Sequence, residues 1–240
     1  MAKQAFCLYS GGKDSHLALK HALDAGYEVS LLLTFFDART RYSLSHRLPA
    51  RMLRDQARLM GLYLQEVYVS RDEYEPRLRS IMQSLALHDS EQPEAARRQR
   101  VDHAIFGDIY LEDHKSWNER LCAECGVTPV FPLWGKSVES VFEEQRSFRS
   151  LIVSVEPEKI ERRWLGKPVN DQFRQTLATK GLDICGEKGE YHTFVTQSPL
   201  MKGRVQVEKW KEQSYDSYVG LDIQEWSVVQ EDVQLHFSPP

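Results

Sequence analysis

The sequence predicts an α/β protein: a parallel, doubly wound sheet followed by a smaller C-terminal α+β lobe. Three observations lead to this prediction. Short apolar runs alternate with segments of helical periodicity up to about residue 134, the run at residues 29–36 is largely apolar, and the last third is rich in β-type alternation. Strands that alternate with helices form parallel sheets with helices on both faces, and a strand buried on both faces is apolar throughout.

The elements of the sheet follow one another in order. Predicted strands cover residues 6–9, 29–36, 64–69, 104–106 and 129–133, and predicted helices cover residues 15–25, 50–60, 74–87 and 113–124. The first helix is indicated by Leu17, Ala18, Ala22 and Leu23, which recur at helical spacing. Gly126 is a suitable C-terminal cap for the fourth helix. We therefore expect the parallel sheet and its helices to form one domain over residues 1–134.

The pattern changes after residue 134. A helix to residue 148 and a strand near residues 152–155 are predicted, then a Pro/Gly-punctuated stretch through Pro168, then a β-rich tail in which Val205, Val207, Ile223 and Val228 alternate with polar residues. We expect residues 135–240 to form a second, smaller lobe over the carboxyl edge of the sheet, where ligands bind in folds of this kind.

Composition and charge exclude several classes of protein. Hydrophobic residues make up 41% and charged residues 28% of the 240 residues, which differs from disordered and from membrane-spanning chains. The apolar stretch at residues 5–9 is too short for a signal peptide, so we expect a cytosolic protein. The net charge of -4 makes nucleic acid an improbable partner. The basic segments at residues 39–58 and 97–100 are interpreted as solvated faces.

Four cysteines at positions 7, 122, 125 and 185 are typical of reduced thiols. Cys122 and Cys125 form a single C-x-x-C pair at a predicted helix end, with no second pair to complete a metal site. We interpret this pair as structural packing.

A glycine-rich loop follows the first predicted strand. Its residues are Ser10, Gly11, Gly12, Lys13, Asp14 and Ser15. Glycines at a strand-to-helix turn let backbone N–H groups approach a phosphate, the helix N-terminus adds positive potential, and the lysine and serines add further donors. Gly107 and Asp108 follow another strand and should reach the same edge. The spacing differs from that of a Walker A loop.

The loop resembles the pyrophosphate loop of the N-type ATP pyrophosphatases, a group with the HUP or adenine nucleotide alpha hydrolase-like fold. This resemblance implies that ATP is bound and split into AMP and pyrophosphate. A second set of motifs narrows the group. It comprises residues 106–109, 111–113, 131–134 and 185–194. Together, in order over about residues 6–200, these motifs resemble the diphthine:ammonia ligase family, in which ATP activates a carboxyl group and ammonia then displaces AMP. The resemblance implies that residues 1–134 form a nucleotide-binding ATP pyrophosphatase domain and that residues 135–240 form an acceptor-binding lobe.

The family resemblance gives particular residues expected tasks. ATP and a carboxylate bring several negative charges together, so Mg²⁺ is expected, held by Asp108 and Glu187. Lys13, Glu187, Glu190 and His192 are the expected catalytic residues, with Glu190 as the alternative acceptor of a proton from ammonia. A polar turn before a strand would explain the two glutamates equally well without any ligand.

The chain departs from the family pattern Gly-Glu-Gly-Gly-Glu-Phe/Tyr-Glu-Thr at two positions. Lys188 stands at the third position and His192 at the seventh. If the seventh position faces the acceptor, the acceptor differs from the diphthine of elongation factor 2, and the sequence resembles a bacterial branch. The segment from Trp164 through Phe173 to Asp183 is also similar to that branch.

Further residues and functions stay open at this point. His46 is a candidate for lining the pocket, and Trp134 either walls the nucleotide pocket or belongs to the core. The alternative functions are a tRNA-modifying ATP pyrophosphatase and a non-catalytic ATP-binding regulator of the universal-stress type. The expected partners are a small-molecule or protein-borne carboxyl acceptor and an ammonia donor. The sequence leaves the oligomeric state open, a homo-oligomer included.

Overall fold

The computed structural model describes residues 3–86 and 100–230. Its N-terminal part contains five strands, β1 (Lys3–Leu8), β2 (Tyr27–Asp37), β3 (Leu64–Val69), β4 (His103–Ile105) and β5 (Thr128–Val130). They pair in the order β3-β2-β1-β4-β5, and every pairing is parallel. Parallel strands need crossover connections, and helices supply them here. The predicted fold class is confirmed.

Four helices cover the two faces of this sheet: α1 (Lys13–Asp24), α2 (Ala50–Met60), α3 (Tyr74–Ala86) and α4 (Glu112–Cys125). Successive residues of β1 point to opposite faces, so Ala5 and Cys7 join one buried cluster with α1 and α2, whereas Phe6 joins the other with α3 and α4. This division is why β2 carries few polar positions, since both of its faces are covered.

The boundaries differ from the predicted ones by a few residues. Helix α1 begins at Lys13, two residues earlier than expected, so the second half of the glycine-rich loop is already helical. Gly126 ends α4 in the left-handed conformation at φ +67°, as predicted. Strand β5 ends at Val130 because residues 132–135 form a turn. Leu87, the predicted end of α3, lies outside the described residues.

The C-terminal part contains α5 (Val138–Gln145), β6 (Arg149–Val155), α6 (Asp171–Thr179), β7 (Tyr191–Gln197), β8 (Gly203–Tyr215) and β9 (Tyr218–Gln230). The four strands are antiparallel and close on themselves, because β9 pairs with β8 and also returns to β6. This agrees with the smaller C-terminal lobe that the sequence predicts. The assignment of residues 1–134 and 135–240 to two domains stays a prediction.

Helix α6 was not predicted from the sequence. Asn170 caps it, since the Asn170 side chain accepts a hydrogen bond of 3.0 Å from the backbone N–H of Phe173. Phe173 and Leu177, four residues apart, are both fully buried. The helix is only nine residues long and has two apolar anchors, and the glycine and two prolines before it hid this periodicity.

No helix in residues 3–86 or 100–230 is long and apolar enough to cross a membrane.

Candidate active site

The glycine-rich loop connects β1 to α1 and is held by its own hydroxyl groups. The Ser10 and Ser15 hydroxyl oxygens lie 3.0 Å apart, and the backbone N–H of Gly12 donates to Ser10 Oγ over 3.2 Å. Gly11 adopts φ +82°, a conformation that strongly favours glycine. The loop therefore turns sharply into the N-terminus of α1, where the positive end of the helix dipole favours an anion.

Two glycines allow close packing around the loop. A Cβ added at Gly12 would lie 2.3 Å from His46 Cε1, and one added at Gly107 would lie 2.9 Å from the backbone nitrogen of Ser15. Gly107 thus brings the end of β4 against the first turn of α1. The predicted convergence of these two loops on one edge of the sheet occurs, and the glycine makes it possible.

A cavity of about 620 Å³ opens beside the loop at the carboxyl edge of the sheet. Its walls come from the ends of β1, β2 and β4 and from α3 and α4. The lining is mainly apolar, and the residues it includes are Leu8, Leu33, Phe35, Leu44, Tyr74, Phe106 and Trp117. Ser10, Ser15, Gly107 and Asp108 lie along one side. An apolar pocket of this size with polar groups along one side is typical of a small-molecule site.

Lys13 lies outside this lining, buried beneath the loop with 2% of its surface exposed. Its Nζ donates to Asp14 Oδ2 over 2.7 Å and to the backbone carbonyl of Cys185. Burial alone would lower the pKa of Lys13, but the Asp14 carboxylate reverses the effect and raises it above its ordinary value. Lys13 therefore carries a fixed positive charge next to the loop.

The C-terminal lobe holds the loop through β7. Thr193 Oγ1 accepts a hydrogen bond of 3.1 Å from the backbone N–H of Lys13, and the N–H of Val195 donates to the carbonyl of Gly11 over 2.9 Å. Thr193 belongs to the motif at residues 185–194, but its contact with the loop was not predicted from the sequence. These two bonds tie the loop to a strand about 180 residues further along the chain.

A buried polar network supports the loop from the other side. The Tyr9 hydroxyl donates to Gln56 Oε1 over 2.8 Å, and Gln56 Nε2 donates to the carbonyls of Gly11 and Val195. His16 Nδ1 lies 2.8 Å from the same hydroxyl, and burial lowers the pKa of His16 to about 3. Because the hydroxyl proton points to Gln56, neutral His16 donates to Tyr9. Sequence reasoning missed this network, which no local pattern reveals.

Carboxylates crowd the side of the loop near β4. Burial raises the pKa of Glu187 to about 7, opposed by a 2.8 Å hydrogen bond from the N–H of Ile109 and reinforced by the charges of Asp14 and Asp108. Burial likewise raises the pKa of Asp108, against a partial offset by His114. The region carries excess negative charge, which a cation would relieve.

The predicted metal ligands fit Mg²⁺ by their chemistry. Asp108 and Glu187 supply hard oxygen donors, and Mg²⁺ in nucleotide sites usually takes one or two carboxylates together with phosphate oxygens. No group of three or more His, Cys, Asp or Glu side chains that could hold a metal ion is found in residues 3–86 and 100–230. Asp108 and Glu187 alone therefore do not form a complete metal site. Oxygens of the nucleotide would have to supply further ligands.

Glu190 lies in the bend just before β7, and His192 is the second residue of that strand. Glu190 is 3% exposed, and its Oε2 is buried without a hydrogen-bond partner among the described residues. The His192 ring stacks on His46 at 4.6 Å between centroids and lies 5.1 Å from the ring of Tyr218. Burial, helped by the nearby His46 and Lys13, lowers the pKa of His192 well below its ordinary value. His192 is therefore neutral at pH 7.

The structure thus divides the predicted site residues into two groups. Ser10, Asp14, Ser15, Gly107 and Asp108 line the large cavity. The others belong to the supporting side of the loop or to the C-terminal lobe, and are not part of that lining as described: Gly11, Gly12, Lys13, Glu187, Glu190 and His192. His46 contacts the loop at Gly12, and its Nδ1 lies 2.8 Å from the carbonyl of Thr193.

Other sequence-derived candidates have local partners. Cys122 and Cys125 are buried free thiols, and burial raises the pKa of both. In the basic segment at residues 39–58, Arg54 pairs with Glu66 at 2.6 Å, and the Arg41 guanidinium lies over the Tyr68 ring. Within the basic segment at residues 97–100, residues 97–99 lie outside the described residues.

The fold and the loop define the class of protein: an α/β protein of the N-type ATP pyrophosphatase type, with a glycine-rich loop that resembles the pyrophosphate loop of that group. Models of the diphthamide synthase N-terminal domain and C-terminal domain match residues 3–129 and 136–229, respectively. The chain belongs to the diphthamide synthase family. This confirms the family resemblance of the sequence motifs, while the bacterial branch stays a prediction.

Curated relatives are similar over different lengths. Diphthine--ammonia ligase of Bos taurus is 28% identical over 46% of this chain and 44% of the relative. The Schizosaccharomyces pombe enzyme is 24% identical over 82% of this chain and 35% of the relative. The Danio rerio enzyme is 26% identical over 84% and 85%, respectively. The chain therefore spans less than half the length of the first two relatives.

Among solved structures, a protein described as a predicted subunit of a tRNA methyltransferase from Methanocaldococcus jannaschii is similar to 80% of this chain. The match covers 96% of that protein with a TM-score of 0.41 and 15% sequence identity. Similarity at this level is too low to specify a topology, so the fold assignment depends on the strand order of the chain itself.

Proposed function

We propose that the protein is an ATP-dependent ligase that transfers AMP to a carboxyl group and converts the acyl adenylate to an amide with ammonia. The observation that carries the proposal is the position of the glycine-rich loop on one side of the 620 Å³ cavity. The apolar part of that cavity suits an adenine ring, and the loop at the N-terminus of α1 suits phosphates. Membership of the diphthamide synthase family supports amide formation as the outcome.

The first step requires the negative charge of pyrophosphate to be stabilised as it leaves. An acceptor carboxylate oxygen attacks the α-phosphorus, and the bond from phosphorus to the bridging oxygen breaks. The N–H groups at the start of α1, the hydroxyls of Ser10 and Ser15 and the charge of Lys13 are the groups proposed to bind pyrophosphate. Asp108 and Glu187 would hold Mg²⁺, which supplies positive charge to the phosphates when bound.

The second step requires a proton acceptor. The ammonia nitrogen attacks the acyl carbon, the carbon–oxygen bond to AMP breaks, and one proton must leave the nitrogen. We propose Glu190 or His192 for this task, because Glu190 has an unpartnered buried oxygen and His192 is neutral at pH 7. The substitution of His192 for the family glutamate places an uncharged ring at this position, and we propose that the acceptor differs accordingly.

The test is a product assay with a panel of acceptors. The purified chain is incubated with ATP, Mg²⁺, ammonium chloride and carboxylated compounds, a diphthine-bearing factor among them. AMP and pyrophosphate are expected, with ¹⁸O from the acceptor carboxylate recovered in AMP. Formation of ADP and phosphate, or AMP lacking the label, would contradict the acyl-adenylate route. If ATP binds tightly but no acceptor leads to AMP formation, the result would instead favour a non-catalytic ATP-binding regulator.

Lys13→Ala is the matching variant. We expect it to reduce AMP formation by at least about a hundredfold, because it removes the charge beside the leaving pyrophosphate. Lys20→Ala is the control, because Lys20 is a partly exposed lysine on the same helix, paired with Asp24. Both variants are checked for folding by circular dichroism. Full activity of a folded Lys13→Ala protein would show that pyrophosphate does not bind beside Lys13.

A further inference from the structure

A second cavity lies beside Lys13. The 620 Å³ cavity that we propose to bind ATP is called the ATP cavity from here on. The volume of the second cavity is about 200 Å³, and it is enclosed by the start of α1, by α5, by the beginning of β6 and by the first residues of α6. Lys13 belongs to its lining, and the adjacent Asp14 belongs to the lining of the ATP cavity. One ion pair therefore separates the two cavities.

Two residues of this second cavity carry buried oxygens that lack partners. Gln145 and Ser150 are 5% and 4% exposed, and neither Gln145 Oε1 nor Ser150 Oγ has a hydrogen-bond partner in the part of the chain that the structure describes. Buried polar atoms without partners are costly and point to a bound molecule. The unsatisfied atoms thus indicate that the cavity holds a small polar ligand.

The orientation of Gln145 determines the kind of ligand. Its Nε2 donates to Asp14 Oδ1 over 2.6 Å. A carboxylate oxygen only accepts, so the amide cannot be reversed, and the free atom is the carbonyl oxygen. The ligand of this oxygen must therefore carry an N–H or O–H donor.

The charges around the cavity favour a neutral ligand. Lys13 is paired with Asp14 at 2.7 Å, and Arg146 is paired with Asp171 at 2.8 Å, so both cations are already balanced. Phe142 and Phe148 form part of the wall, and apolar walls disfavour an unpaired ion.

We infer that this cavity is the entry site for the nitrogen substrate, taken as neutral ammonia. Ammonia has three N–H donors for Gln145 Oε1 and Ser150 Oγ, and its small size allows it to pass the Lys13–Asp14 pair. Ser150 is paired in register with Val195, the residue whose N–H holds the glycine-rich loop, so the cavity lies one strand from the site of reaction. This inference depends on the proposed ligase function.

The test uses ammonium chloride as the probe. Substitutions at Ser150 alter the wall of the second cavity on the side away from the glycine-rich loop. Ser150→Val removes the hydroxyl and occupies space, and Ser150→Ala removes the hydroxyl alone. Ser147→Val is the matched control, because Ser147 is an exposed serine on the same segment. Amide formation is measured against total ammonium at saturating ATP.

We expect the KM for ammonium to rise about tenfold in Ser150→Val, the effect of losing one hydrogen bond to the ligand. The KM for ATP and the rate at saturating ammonium should stay within about twofold. An unchanged KM for ammonium in folded Ser150→Val and Ser150→Ala would overturn the inference. An equal rise in Ser147→Val would overturn it as well.

A binding measurement separates this inference from the proposed function. Thermal unfolding of the full chain is followed in ammonium chloride and in potassium chloride, above and below the pKa of ammonium. At pH values above the pKa of ammonium, ammonia at ten times its Kd should raise the unfolding midpoint by about 3 °C. Ser150→Val should abolish this rise. If the protein forms amide but shows no rise in the unfolding midpoint, the ammonia site in this cavity is refuted and the proposed ligase function stands. A protein that shows the rise without amide formation supports the cavity and refutes the ligase.

Discussion

Replacing Gly107 with alanine is the sharpest perturbation of the site. Gly107 has no left-handed φ, so the substitution adds no backbone strain and tests space alone. The new Cβ would lie 2.9 Å from Ser15 N, 3.0 Å from Ser15 Cα and 3.1 Å from Asp14 C. All three are backbone atoms at the start of α1, so no flexible side chain can move aside.

The size of the effect follows from these distances. Ordinary contact begins at 3.4 Å, so β4 and α1 must separate by about 0.5 Å, the difference from 2.9 Å. Overpacking of this kind costs about 2 kcal/mol, which lowers the unfolding midpoint of a chain this long by about 4–8 °C. The same displacement moves the phosphate-binding N–H groups, and a shift of half an ångström should weaken ATP binding about tenfold.

Differential scanning calorimetry and isothermal titration with ATP measure the two effects on the same protein. Gly181→Ala is the control: Gly181 has φ +66° and open space around its Cβ position, so alanine there costs about 1 kcal/mol through backbone strain alone. It should lower the midpoint without changing ATP affinity. Wild-type stability and affinity in Gly107→Ala would refute the proposed contact between β4 and the loop.

Two further predictions concern the electrostatics and the support of the loop. Since the pKa of Glu187 is raised from 4.5 to about 7, the folded state binds its proton more tightly than the unfolded state, and stability from this group is lost as pH rises through that range. Glu187→Gln should therefore match wild type below about pH 4 but exceed it by up to about 3 kcal/mol above pH 7, and equal urea-unfolding curves of the two proteins at both pH values would contradict this. Thr193→Val removes the acceptor for Lys13 N and should cost about 1–2 kcal/mol and about tenfold in AMP formation. Thr196→Val, at a partly buried position on the same strand, also removes one hydrogen bond, to the carbonyl of Arg149 over 2.8 Å, but should leave AMP formation unchanged, and equal losses of AMP formation in both variants would show a general weakening of β7.

Much of the fold was predictable because its determinants are local. Each strand of the parallel sheet is a short apolar run, and each crossover helix has apolar residues at helical spacing, as Leu17 and Leu23 illustrate in α1. Helix α6 was not predicted because it has only two buried apolar residues. The pairing of β6 with β9 was not predicted because strands so far apart in sequence leave no local pattern.

The candidate site divides in the same way. The sequence by itself determined the glycine-rich loop, since glycine and serine at a strand-to-helix turn have a conformational reason that a single segment displays. It also placed Gly107 and Asp108 at the same edge, because the carboxyl ends of parallel strands meet there.

Only the tertiary structure decided what surrounds that loop. Thr193 and Gln145 act on the loop from more than 100 residues away, and the pKa of Glu187 depends on burial and on carboxylates from two other segments. Desolvation and Coulomb interactions act through space, so they arise only once the chain is folded. The sequence therefore determined the loop that we propose to bind phosphate, and the packing of the two lobes decided the charge, the partners and the cavities around it.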